Sequence, residues 1–237
     1  MHKGFRIIIA VSVIACAQTA FLFAAPLFYK DVESRMAAKE YDKAESIIGI
    51  YLSLNDKDVT ALSMLGRLYQ ETGDKKKAAQ ALSKALKIDP DYPPAHFFLG
   101  KNYYREMKTA DAVSEFAIFR AKMDRFPGLN KEDQLFCLDA LDEIGEVYFD
   151  LKMAEEFYAV NQEILKMSPD DETATYNLGV YYYVYSHSNS RAYQLFNKVI
   201  EAYPDSYLAK KARYNIEFIR ANPDSRMAAD FDFIDKL

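Results

Sequence analysis

Four carboxylates, Asp139, Asp142, Glu146 and Asp150, follow one another along the chain at steps of 3, 4 and 4. On a helix this spacing puts them on one face. Like charges so arranged repel by roughly 0.2–0.5 kcal/mol per neighbouring pair, and a cationic partner would relieve that cost. The chemistry is that of binding; an ordinary solvated helix face is the alternative reading. A second concentration is aromatic: Tyr176, Tyr181, Tyr182, Tyr183 and Tyr185 stand close together. Rings with polar tips suit peptide recognition, and they suit packing between helices equally well.

Catalytic chemistry has little to draw on. The three histidines, His2, His96 and His187, lie far apart. Phosphate-cradling glycine loops and paired metal-ligand spacings are absent from the sequence. We therefore expect no enzyme activity, no catalytic residue, no metal and no cofactor. His96 falls at a core-directed position and His187 in a turn. Cys16 lies in the leading apolar segment and Cys137 in the body, so the two build no internal disulfide framework. Cys137 reads as a small buried residue. The net charge is −5, and Lys75-Lys76-Lys77 is the densest basic stretch, which argues against a nucleic-acid partner.

The elements that must carry these residues are helices. Of 237 residues 50 % are apolar, and only 8 Gly and 8 Pro interrupt them. The N-terminus is different. Lys3 and Arg6 precede an apolar run over 7–17, and Ala15 and Ala17 offer small residues at a signal-peptide cleavage site before Gln18. No charge occurs from Ile7 to Tyr29, so the stretch is also long enough for an uncleaved membrane anchor. A third reading is a lipoprotein box at Val13-Ile14-Ala15-Cys16. Each keeps the basic residues in the cytoplasm and places the body outside it. Residues 1–29 are thus read as signal or anchor. With cleavage before Gln18, residues 21–37 are expected to serve as the first helix of the array.

Beyond the leader the chain repeats itself. Gly66 and Gly100 are 34 residues apart, as are Gly145 and Gly179; Ala44, Ala78 and Ala112 keep the same step. Each of these glycines follows an apolar residue and precedes a tyrosine by three: Tyr69, Tyr103, Tyr148 and Tyr182. Small residues at Gly66 and Ala78 let two helices of a hairpin approach, while Leu62, Leu65, Tyr69 and Leu82 fill the space around them. Gly73-Asp74 makes the turn, and Asp89-Pro90 stops the second helix. One hairpin cannot bury its apolar face alone, so neighbours must stack.

This pattern resembles the tetratricopeptide repeat. Leu62, Leu65, Gly66, Tyr69, Gly73, Asp74, Ala78, Leu82, Ala85, Ile88 and Pro90 sit where the family signature puts them. The resemblance covers about 30–222 and implies an all-α superhelix, an α-solenoid of about five helix–turn–helix hairpins plus a capping helix, preceded by an N-terminal apolar helix. The units run about 30–58, 59–92, 93–137, 138–171 and 172–205, with a capping helix at 206–222 opened by Asp205. Residues 223–237 form a tail with a short helix near 227–233. The first unit is partial, with Tyr41, Ala44, Ile48 and Leu54 matching a second helix. The third carries eleven extra residues near 124–134, around Pro127-Gly128, with Asn130 capping an early-starting, longer helix. Phe157 and Asn161 in the fourth unit replace small and apolar residues, which predicts atypical packing of its second helix.

The family turns the first helix of each hairpin toward a concave groove. The resemblance places Ser63, Arg67, Gln70 and Glu71 there from the second unit. From the third it places Phe97, Lys101, Tyr104 and Arg105, and from the fourth Asp139, Asp142, Glu146, Phe149 and Asp150. The fifth supplies Tyr176, Val180, Tyr183 and Val184. The Lys, Asn and Arg set with which some members clamp a C-terminal carboxylate is missing. The expected function is an extracytoplasmic adaptor in a bacterial cell envelope that holds a cationic and apolar protein or peptide segment. A spacer or self-assembling, oligomeric scaffold is the alternative, and an uncleaved leader would add the membrane as a partner.

Overall fold

A computed structural model describes residues 27–125 and 131–222. The leader up to residue 26, Pro127-Gly128 with Asn130, and the tail after 222 lie outside the described residues. Every regular element described is helical. Residues 27–37 form α1, followed by α2 (Tyr41–Leu54), α3 (Val59–Glu71), α4 (Lys75–Ile88), α5 (Pro93–Arg105) and α6 (Thr109–Lys122), which ends in a 3-10 turn, Met123–Arg125. Then come α7 (Lys131–Asp150), α8 (Ala154–Met167), α9 (Glu172–Val184), α10 (Asn189–Ala202) and α11 (Tyr207–Ala221). The chain divides into two compact units, Met1–Arg125 and Phe126–Leu237.

Three of the hairpins close in the same way. A Cβ placed on Gly66 would lie 2.5 Å from Leu82 Cγ, one on Gly100 2.6 Å from the Phe116 ring, and one on Gly179 2.7 Å from the Phe196 ring. The missing side chain is what lets the two helices meet. The turns share a residue in the left-handed region: Lys39, Gly73, Met107, Lys152 and His187, with φ between 51° and 85°. The first three are spaced by 34. After Met107 the chain reverses with Lys108 N–H donating to Tyr103 O, and after Lys152 with Met153 N–H donating to Tyr148 O, which satisfies the last carbonyls of the helix. Helix starts are capped by side chains. Asp58 accepts from Ala61 N–H, Asp74 from Lys77 N–H, Asp171 from Ala174 N–H and Ser206 from Ala209 N–H. The cap of α11 is thus Ser206, one residue after the expected Asp205.

In the first unit Val32, Met36, Ala44, Ile48, Met64 and Leu68 form one buried cluster, with Phe28 and Tyr29 packed against it. Phe28 stacks on Tyr51 with ring centroids 3.8 Å apart. Phe28 and Tyr29, read from sequence as the end of the leader, therefore pack half-buried against the core of the first hairpin. Leu54, the last residue matched to that hairpin's second helix, is exposed. In the second unit α9, α10 and α11 share a core of Tyr176, Val180, Phe196, Val199, Ala212 and Ile216 among others. The helix α7 spans 20 residues against 13 in α3, α5 and α9, in line with the early start expected for it. Phe157 and Asn161 are both buried in α8. Asn161 is satisfied by donating to Phe157 O at 2.7 Å and accepting from Asn177 Nδ2 at 3.1 Å.

Candidate binding faces

In the first unit the first helices of successive hairpins lie side by side. Arg67 Nη1 of α3 donates to both carboxylate oxygens of Glu33 in α1, each at 3.0 Å. Arg105 Nη1 of α5 donates to Gln70 O of α3 at 3.1 Å, and Gln70 Nε2 donates to Phe98 O. Glu33, Arg67 and Lys101 are the same repeat position, 34 residues apart, so the repeat step from Arg67 points to Glu33, which the sequence reading missed. Lys101 stands over the Phe97 ring at 5.2 Å. Tyr104 is half-buried, and Ser63 is buried with its hydroxyl unpartnered. Much of the polarity expected to face a partner here is spent on neighbouring helices.

Three aromatic residues expected to line the groove are buried. Phe97 is 2 % exposed and packs its ring on Phe119 and Phe116 of α6. Tyr176 is 7 % exposed, lies beside the Phe196 ring and accepts a hydrogen bond from Asn215 Nδ2 at 3.0 Å. Tyr183 is 7 % exposed in the same core, and its hydroxyl has no hydrogen-bond partner. The correction has one cause: at these positions a large ring meets the side chains of an adjacent helix and gains more from burial than from display. Tyr181 and Tyr182 pack on α8, flanking Tyr158 at 4.7 and 6.1 Å, and Tyr185 stands beside Tyr181. Val180 and Val184 are buried too, and Phe149 packs half-buried against the same core.

The acidic face of α7 behaves differently. Asp139, Glu146 and Asp150 are exposed and Asp142 is half-buried. Among the described residues no cation pairs with Asp142, and its buried oxygen Oδ1 has no hydrogen-bond partner. Burial, then the charges of Asp171, Asp139 and Glu146, push its pKa from 3.8 up to about 6. Asp171 is a contributor that the α7 spacing alone does not reveal. This carboxylate is held partly out of water, among like charges, without compensation.

His96 is a contrasting case. Its Nδ1 lies 2.6 Å from Glu115 Oε2 and its Nε2 2.8 Å from Pro90 O. A carboxylate and a carbonyl both accept, so these partners favour a charged ring that donates from both nitrogens. Burial opposes that charge, but the hydrogen bonds to Glu115 and Pro90 and the charges of Glu115 and Asp91 outweigh it, and the pKa is raised above 6.5. A raised histidine pKa stabilises the fold fully below the unfolded value and loses that contribution as pH climbs through the folded value. Thermal unfolding should therefore show a higher midpoint near about pH 6 than near about pH 8.5, and His96→Gln should remove the part of this difference that belongs to the first unit. An unchanged pH profile in His96→Gln would count against it.

Among the described residues no cluster of His, Cys, Asp or Glu is arranged to hold a metal ion. No described helix is long and apolar enough to cross a membrane. Residues 66–106 match the family model described as TPR repeat. No curated protein matches the chain by sequence. Solved structures match it in fold. The pilF protein of Pseudomonas aeruginosa is 15 % identical with a TM-score of 0.61, over 85 % of this chain and 93 % of that one. PilW, described as a widely conserved type IV pilus biogenesis factor, is 18 % identical with a TM-score of 0.59, over 84 % and 94 %. YrrB, described as a TPR protein with an unusual peptide-binding site, is 21 % identical with a TM-score of 0.51, over 79 % and 90 %.

Proposed function

Starting from a chain of tetratricopeptide-repeat fold, we propose that it is an adaptor whose second unit holds a cationic segment of another protein against the acidic face of α7. The observation that carries this reading is Asp142, a half-buried carboxylate with an unpartnered oxygen beside three further acids. A lysine or arginine from a partner would supply the missing hydrogen bond and relieve the repulsion at once. The peptide-binding description of YrrB and the protein-interaction role common to the fold support a binding function of this class.

The proposal extends to place and domain organisation. The leader, with Lys3 and Arg6 ahead of an uncharged apolar stretch, directs the body out of the cytoplasm. The pilus-biogenesis description of PilW is in keeping with an envelope complex. The proposed array starts by Phe28, a reading supported by the packing of that ring against the first hairpin's core, and cleavage after Ala17, lipidation at Cys16 or retention as an anchor each leave it in place. Intact mass of the mature chain distinguishes these three fates.

The binding test uses the full chain and a fluorescent Lys- and Leu-rich peptide. Asp142→Lys with Glu146→Lys should weaken its binding by at least about tenfold, while Arg67→Glu leaves it unchanged. Circular dichroism on the same samples checks that the helices persist. Equal affinity for the charge-reversed chain would remove the acidic face from the site.

A further inference from the structure

The first unit carries a cationic groove that the adaptor reading leaves unused. It lies along α4 and the end of α5, with a volume of about 530 Å³, and is lined by Lys76, Lys84 and Lys87 on one side and Tyr103, Glu106 and Lys108 on the other. The cations divide into two kinds. Lys108 is paired with Glu106 at 2.7 Å and stands over the Tyr103 ring. The neighbouring Lys75 donates to Arg105 O and Lys77 pairs with Asp74. Lys76, Lys84 and Lys87 are exposed and have no carboxylate partner among the described residues. Lys84 and Lys87 are one turn apart on the same helix, so they repel. An anion in the groove removes that repulsion, while Tyr103 and the lysine stems offer apolar contact. Ile88 and Met107, both exposed apolar side chains, are chain neighbours of the lining residues Lys87 and Lys108.

The lysines call for an acidic occupant, and Tyr103 with the lysine stems for apolar side chains among its charges. A polypeptide segment can follow a groove along α4 and set carboxylates against Lys76, Lys84 and Lys87 in turn, which favours it over the headgroups of a flat bilayer. Residues 230–235 of this chain have that chemistry: Asp230, Asp232 and Asp235 alternate with Phe231, Phe233 and Ile234. We propose that the α4–α5 groove binds residues 230–235 of a second copy of the chain, so that copies associate through three carboxylates set against three unpaired lysines. The contact is independent of the acidic face of α7.

The experiment is a charge swap in the full-length chain in detergent, read by sedimentation velocity across a concentration series. The wild type should self-associate, less so at high salt. Lys84→Glu with Lys87→Glu should weaken association at least about tenfold, as should Asp232→Lys with Asp235→Lys. Mixing the two variants should restore it, because the reversed groove then meets the reversed segment. Lys84 and Lys87 are exposed, and circular dichroism on both variants checks that the helices persist. A wild type that stays monomeric throughout overturns the proposal, as does association that neither variant weakens or that mixing fails to restore. Binding of phosphatidylglycerol vesicles that the lysine variant loses and the aspartate variant keeps would reassign the groove to a membrane and overturn it equally.

Discussion

Gly100→Ala should destabilise the first unit by about 2–3 kcal/mol, while Gly145→Ala in the second should change stability by less than about 1 kcal/mol. The two glycines occupy the same repeat position and differ only in what stands opposite. A methyl on Gly100 would lie 2.6 Å from Phe116 Cε1 and 2.7 Å from Cδ1. Phe116 is fully buried and in contact with the Phe97 ring, so it has nowhere to retreat. The helices must separate, and the packing of α5 on α6 is lost with them. Opposite Gly145 the nearest atom is Val160 Cγ1 at 3.3 Å, which a shift of a few tenths of an ångström relieves. The alanine also gains helix propensity of about 1 kcal/mol over glycine, which offsets the squeeze. Chemical denaturation of the two variants reads the contrast. Equal losses at both sites would mean that close approach is not what the glycine position serves.

Asp142→Asn should have two effects of opposite sign: a more stable second unit and a weaker grip on a cationic segment. In the unfolded chain Asp142 titrates near 3.8, and in the fold at about 6. A carboxylate with a raised pKa costs nothing when protonated. The cost therefore appears as pH rises from 3.8 to about 6 and stays constant above. A shift of this size, discounted for a half-exposed group, corresponds to about 1 kcal/mol recovered at neutral pH by the amide. Binding moves the other way. A bound cation favours the carboxylate, so affinity should fall by about tenfold between about pH 7 and about pH 5 in the wild type. In Asp142→Asn affinity is lower and its pH profile nearly flat. Unfolding curves and peptide titrations over that range check both halves. A variant that is less stable and binds as before would show Asp142 to be structural only.

These two predictions draw on different layers of legibility. The hairpin register was readable because it is local. The glycine, the alanine and the tyrosine recur every 34 residues, and a helix of period 3.6 converts such spacings into one face without reference to the rest of the chain. The acidic face of α7 was readable for the same reason, since all four carboxylates belong to one helix. Asn161, at the repeat position of Leu82 and Phe116, signalled that the packing opposite Gly145 would differ, but not that Val160 would be its nearest neighbour. That depends on whether a valine or a phenylalanine ring from the partner helix comes to rest opposite.

The sequence by itself determined that the chain forms repeating helical hairpins, where they turn, and that one helix bears a row of like charges. Tertiary structure alone decided which of the candidate residues still have something to offer a partner. It turned Phe97, Tyr176 and Tyr183 inward, matched Arg67 with Glu33, and set Asp142 half out of water beside Asp171. The reason is physical. Periodicity is a property of a single helix, whereas desolvation and charge pairing depend on which atoms of another helix arrive within a few ångströms.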